Sequence, residues 1–289
     1  TWGPERSLVV AFDYATIQAG HDALSSAGGV FYIPAGTYLP STVPAYTGLV
    51  VSKDNVEVRG DPHFATILRL TAAEKDTHMV DVTAASPGVA DGVTLRDLVL
   101  WGPEVAATNP ELGIGVRLHK DTIQNFRMKN VAIVHTGSWS MSIKTASPSG
   151  SFVGECQFEN VTCDSARSGG SLRLGPGGIN ALLFTKCQFN GPPFSTIGTS
   201  GLSRGSVHLD WCYSVKFVRC SFQDLSCGTA ISITGPTHNI SWDTCHFETR
   251  QTGGDLGQHW ITAAEGVNPA HLVWKNCTFL RLASTNRGV

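Results

Sequence analysis

The sequence predicts an all-β chain wound as a right-handed, single-stranded parallel β-helix, a three-sheet solenoid with an N-terminal capping helix. Three observations predict it. A six-residue template (apolar, two polar, apolar, any, apolar) recurs seven times, starting at Leu95, Met128, Phe158, Phe184, Phe217, Trp242 and Trp274. The intervals are 33, 30, 26, 33, 25 and 32 residues, and a period of that size marks a stacked array. Each interval also holds a second period-2 stretch, and glycine-rich bends separate the stretches. Finally, only 15% of residues are charged, well below the roughly 25% of average soluble chains. Length alone suggests about two domains; a repeat of this kind makes one elongated domain instead.

From the N-terminus, residues 1–48 read as a cap of strand, helix and strand, and 49–289 as one continuous β-helix. Asp13 is placed to cap a helix, with Tyr14, Ile17 and Leu24 on one face and Gly28-Gly29 ending it. Val30–Tyr38 reads as strand and turn, and Val56–Gly60 as the first full coil. The helix would cover the open end of the solenoid, as a terminal repeat must. After Phe279 no comparable cap follows, so that end is expected to meet another subunit or a further domain, or to be covered by nothing ordered.

In the coils, like residues pile on like at about 4.8 Å. The inward columns are Cys187-Cys220-Cys245-Cys277, Phe189-Phe222-Phe247-Phe279 and Phe184-Phe217-Trp242-Trp274. Stacked rings and small thiols fill such a core. The eight cysteines, all after residue 155, are thus expected to be free thiols of the core, since the spacing fits no zinc signature. The sequons at Asn160, Asn239 and Asn276 are read as turn asparagines at one bend of the coil.

The run Ala15–Ala19 through Gly28-Gly29-Val30-Phe31-Tyr32-Ile33-Pro34-Ala35-Gly36-Thr37-Tyr38 resembles the opening of pectate-lyase-like β-helix proteins. That superfamily includes pectate lyases, polygalacturonases, uronan epimerases and phage tailspikes that bind or cleave bacterial surface polysaccharide. The resemblance implies the fold and leaves function to the site. The polygalacturonase motifs Asn-x-Asp, Asp-Asp and Gly-His-Gly do not occur, which argues against galacturonase chemistry.

The second strand of each unit runs Val116-Arg117-Leu118, Met141-Ser142-Ile143, Leu172-Arg173-Leu174, Val207-His208-Leu209, Ile231-Ser232-Ile233 and Trp260-Ile261-Thr262. Its outward positions form a stripe: Arg117, Ser142, Arg173, His208, Ser232, and two residues on His119, Lys144, Gly175, Asp210, Thr234. Three coil steps, roughly 15 Å, suit a few sugar units. The loops Trp101–Gly113, Asn190–Gly205 and Glu248–Gln258 flank this face. Glycoside hydrolysis needs two carboxylates roughly 5–9.5 Å apart, and Asp210 would take its partner from Asp243, Glu248, Asp255 or Glu265. β-Elimination needs cations against a uronate carboxylate and a base. Arg173 and Lys144 supply the first and His208 the second, with Asp210 orienting. Arg117, His119, Ser142, Ser232 and Arg204 would bind substrate. His119, like His238 and His246, reads more readily as an ordinary surface or turn histidine.

The expected partner is a polysaccharide, and the expected assembly a homotrimer through outward Leu183, Val218 and Val273 on the first strand. The net charge of -2 excludes a generic basic nucleic-acid binder. No run of 18 apolar residues predicts membrane insertion. Thr1-Trp2-Gly3-Pro4 is no signal peptide. The reading is a phage-type tailspike or tail-associated depolymerase on a virion tail or outside the cell. The alternatives are a secreted lyase or epimerase and a non-enzymatic solenoid. No cofactor is required; a Ca2+ ion is what the lyase alternative would bring.

Overall fold

A computed structural model describes residues 7–83, 89–120, 122–145, 152–164, 166–191, 206–224, 229–250 and 259–282. Every strand pairing is parallel, and each strand pairs with the one a coil away, as in a right-handed parallel β-helix. The coils have three faces but two hydrogen-bonded sheets, one of 18 strands and one of eight. The large sheet joins two faces because Thr94–Trp101, Arg127–Val134 and Val153–Asp164 run through their bend unbroken.

A single left-handed residue makes that bend in each coil. Asp97, Asn130, Asn160, Lys186, Arg219, Thr244 and Asn276 all have φ between 52° and 58°, and strand register aligns them. Asn130 donates to Asp97 Oδ1 at 2.9 Å and Asn160 donates to Asn130 Oδ1 at 3.0 Å, so the amides bind one another along the column. A second left-handed column comprises Gly28, Asn55, Gly92, Asn125, Glu155, Ala181, Ser214, Asn239 and His271. The three sequon asparagines therefore divide between two bends: Asn160 and Asn276 on one, Asn239 on the other.

The core columns have the predicted register and run further back. One continues Val9, Phe31, Val58, Leu95, Met128, Phe158, Phe184, Phe217, Trp242, Trp274. Its rings stack at 4.4 Å (Phe158–Phe184), 4.9 Å (Phe184–Phe217), 6.0 Å (Phe217–Trp242) and 5.0 Å (Trp242–Trp274). The Phe189, Phe222, Phe247, Phe279 column stacks beside it at 5.4, 4.8 and 4.9 Å. All seven described cysteines are free thiols, six of them buried. Each thiol of the column donates to backbone carbonyls, as Cys220 does to Phe184 and Val218 at 3.5 Å.

The N-terminal helix is shorter and starts later than predicted. It spans Ile17–Asp22, and its cap is Thr16, whose Oγ1 accepts from Ala19 N at 3.0 Å. Asp13 instead ends a 3-10 turn, Ala11–Asp13. The helix stops six residues before Gly28, which opens the strand Gly29–Tyr32 with φ 87°. That strand pairs with Leu8–Val10 on one side and Val56–Arg59 on the other, so the ladder reaches back to Leu8.

Candidate functional site

The eight-stranded sheet carries the predicted stripe. Its strands are Leu49–Val51, Val80–Val82, Val116–Lys120, Met141–Thr145, Leu172–Leu174, Val207–Leu209, Thr229–Ile233 and His259–Ala263. Period-2 alternation buries Val116, Leu118, Met141, Ile143, Leu172, Leu174, Val207, Leu209, Ile231 and Ile233 and turns the intervening residues away from the core. Register aligns Asp81, Arg117, Ser142, Arg173, His208 and Ser232 in one column. Lys144 stands beside His119. Asp210 follows Leu209, donating its N–H to Leu174 O at 2.8 Å, and Thr234 donates its own to Leu209 O at 2.9 Å. One register differs from expectation: Ile261, not Trp260, pairs with Ile231.

Two carboxylates that the sequence reading did not select lie on this face. Arg117 donates Nε to Asp81 Oδ1 at 2.8 Å and a terminal nitrogen to Oδ2, a two-pronged pair. Asp81 belongs to the short strand Val80-Asp81-Val82, which precedes the first match to the six-residue template. The loop between Trp101 and Gly113 brings in Glu111, which accepts from Arg173 at 2.5 Å through Oε1 and from Lys144 through Oε2. Burial pushes the Glu111 carboxyl up, but Lys144 and Arg173 outweigh it and hold it at about 2.

The loop is braced against the coils. Thr108 N donates to Asp76 Oδ1 at 2.7 Å, Ala107 N to Gly137 O at 2.9 Å, and Ser138 Oγ to Leu112 O at 2.5 Å. His119 and Ser142, outward by register, are buried in this region, 5% and 0% exposed, and bond each other at 3.0 Å. This corrects the surface reading of His119, and it leaves both as a floor rather than an open face. Burial and then the charges of Lys144 and Arg117 depress His119 to about 2. Burial and Arg117 likewise lower His78 to about 4.

Trp139 lies beneath the middle of the stripe, 4% exposed. Arg173 stands over its ring at 5.9 Å, and the His208 ring is 6.0 Å away. Its Nε1 has no hydrogen-bond partner among the described residues. His208 Nε2 is 2.8 Å from Thr234 Oγ1. Asp210 is half-buried; burial raises its carboxyl above the usual range and Arg173 opposes this only partly. Two glycines hold its place. A Cβ on Gly235 would sit 1.8 Å from Asp210 Oδ1, and one on Gly175 1.5 Å from Asp210 O.

Of the suggested partners for Asp210, Asp243 and Glu248 lie on the large sheet, on Thr237–Asp243 and His246–Arg250, and so on another face. Glu265 is exposed in the turn after His259–Ala263. Asp255, Arg204 and most of the loops Asn190–Gly205 and Glu248–Gln258 lie outside the described residues. The apolar trimer contact loses its continuity: the column holding Leu183 and Val273 has Lys216 and Ser241 between them, and Val218 lies two positions on.

A cavity of about 180 Å³ lies on the large sheet, lined by Tyr32, Arg59, Gly60, Asp61, Pro62, Arg96 and Asp97. Its groups satisfy each other: Asp61 accepts from Tyr32 Oη at 2.6 Å, and Arg96 pairs with Asp97 at 2.8 Å. Among the described residues no group of three His, Cys, Asp or Glu side chains is placed to hold a metal ion. No described helix is long and apolar enough to cross a membrane.

No protein-family model matches the chain, and no curated protein matches it by sequence. Solved structures do. A tailspike protein of Acinetobacter baumannii bacteriophage Fri1, described as a capsular polysaccharide depolymerase, matches with a TM-score of 0.59 at 15% identity, over 99% of this chain and 51% of that one. The ORF18 protein of Geobacillus virus E2 matches with 0.52 at 14%, over 96% and 61%. An endo-xylogalacturonan hydrolase from Aspergillus tubingensis matches with 0.52 at 11%, over 98% of each chain. The chain thus spans about half to three-fifths of the two viral proteins. At such identities the likeness is one of fold, and it agrees with the ladder register: the chain folds as a right-handed parallel β-helix.

Proposed function

We propose that the chain is a polysaccharide-acting β-helix of the phage tailspike kind. It binds a bacterial surface glycan along the outward face of the small sheet and cleaves it there, on a virion tail or outside the cell. One observation carries this reading. Successive coils set Arg117, Lys144, Arg173, His208 and Asp210 on one face, within a few coil steps, beside a loop that folds over them.

The chemistry that suits these groups is β-elimination. Lys144 and Arg173 offset the charge of a uronate carboxylate, which makes the adjacent C5 proton more acidic. His208 takes that proton, the C4–O bond breaks with its electrons passing to oxygen, and a C4–C5 double bond remains. Asp210, which burial keeps protonated to higher pH than an ordinary carboxyl, gives its proton to the leaving oxygen. Arg117 extends the binding face along the axis, the buried His119, Ser142 and Ser232 form its floor, and Arg204 belongs to a flanking loop.

The test is a panel of acidic and neutral polysaccharides, followed by the ultraviolet absorbance of unsaturated uronates and by released reducing ends. Asp210→Ala and His208→Ala are each expected to lose about 100-fold or more in rate. Full activity in both variants would discard this face as the site. Reducing ends without the absorbance would discard elimination.

A further inference from the structure

Glu111 makes contacts that the β-helix itself does not require. It lies on a loop outside both sheets, and its two oxygens divide between two cations on neighbouring coils, Lys144 and Arg173. Its own backbone is held in shape locally, with Glu111 N donating to Asn109 Oδ1 at 2.8 Å and Leu112 N to Asn109 O at 3.0 Å. The cations are mostly covered, at 23% and 20% exposure, while the carboxylate side chain reaches solvent at 39%. An ammonium and a guanidinium sharing one carboxylate is a charge-assisted clamp with a defined geometry. The group it holds is chemically the one that an acidic sugar presents.

We propose that Lys144 and Arg173 form a subsite for the carboxylate of an anionic sugar, and that Glu111 is its internal occupant, displaced when the glycan binds. This rests on the small-sheet face being the glycan site and names the class of glycan it takes. A neutral chain has nothing to offer the clamp in exchange for Glu111, so only an acidic polymer competes with the latch, and the preference for such polymers comes from Lys144 and Arg173 themselves. The latch also lowers affinity by the fraction of molecules in which it is open.

The experiment is calorimetric titration with two probes, a galacturonate hexamer and the neutral maltohexaose. The proteins are the full chain, Glu111→Gln, Glu111→Ala and the double variant Lys144→Gln/Arg173→Gln, each checked for its fold by circular dichroism. A latch closed in about nine molecules of ten predicts about tenfold tighter binding of the galacturonate hexamer by both Glu111 variants. Maltohexaose binding stays unchanged, and the double variant loses the anionic probe. Equal or weaker anionic binding by both Glu111 variants would overturn the proposal. So would equal tightening toward both probes, which would make the loop a steric lid. Cleavage lost in the Glu111 variants with affinity unchanged would also overturn it and make Glu111 a reacting group. If only the neutral probe binds, and Arg117→Ala weakens it, the latch fails while the glycan-binding face survives; if neither probe binds any of the proteins, both readings fall.

Discussion

At the scale of single residues, the site depends on two absences. Gly235 and Gly175 leave room for Asp210, and any side chain at Gly235 would enter its carboxylate, 1.8 Å from Oδ1. Gly235 needs no left-handed backbone, so Gly235→Ala is expected to keep the fold and displace Asp210. Cleavage should fall by at least about tenfold, or about 1.4 kcal/mol of barrier, while the melting temperature moves little; an active Gly235→Ala would count against Asp210. The buried histidines make a pH prediction. His119, depressed to about 2 in the folded chain, titrates near 6.5 when unfolded. A base with a lowered folded pKa contributes stability that is present above the unfolded value and is lost as pH falls below it. The loss is about 1.4 kcal/mol per pH unit for each such group. His78 adds a loss of the same sign between 6.5 and about 4. Urea midpoints at pH 7 and pH 5 should show His119→Gln losing about 2 kcal/mol less than the parent chain. Parallel losses in the two proteins would mean that His119 is not held neutral.

At the scale of elements, the two left-handed columns are what allow a strand to turn a corner without leaving its sheet. Most of their members are not glycine, and a left-handed L-residue costs roughly 1–2 kcal/mol. Ala181 is exposed, has φ 54° and has no polar side chain to recover that cost. Ala181→Gly is therefore expected to stabilise the protein by about 0.5–1 kcal/mol after the entropic cost of glycine, measured by chemical denaturation; destabilisation would show that the corner tolerates alanine without strain.

These elements also show what sequence can carry. The inward columns were legible because one side of every rung must be apolar and the next rung repeats it. The outward stripe followed, since its residues alternate with buried ones. Asp81 was not legible, because its strand is three residues long and precedes the first match to the template. Glu111 was not legible either, since its position depends on how a loop folds back across three coils. The helix start was misplaced because Asp13 and Thr16 are both good caps, and a 3-10 turn claims Asp13 first.

At the scale of the whole molecule, the solenoid is nearly one-dimensional: each coil touches only its neighbours, and stability is a sum over rungs and their interfaces. The tailspike reading adds a prediction about assembly. Light scattering should give three times the chain mass, and a single-chain mass at all concentrations would remove the trimer. The interrupted column of Leu183, Lys216, Ser241 and Val273 means that such a trimer would have to use polar contacts on that face.

The thiol column has a further use as a clock. Cys187, Cys220, Cys245 and Cys277 mark four successive coils, one each, and none is tied up in a disulfide. Burial pushes the Cys163 thiol well above its usual range, and the neighbouring Cys220 thiol, together with burial, does the same for Cys245. An alkylating reagent therefore waits for a coil to open before it reacts. Cys277, half-exposed, reports at once, and the others report in the order in which the stack comes apart. Mass spectrometry of the labelled peptides thus reads local opening rung by rung, in a protein that carries its own graduations.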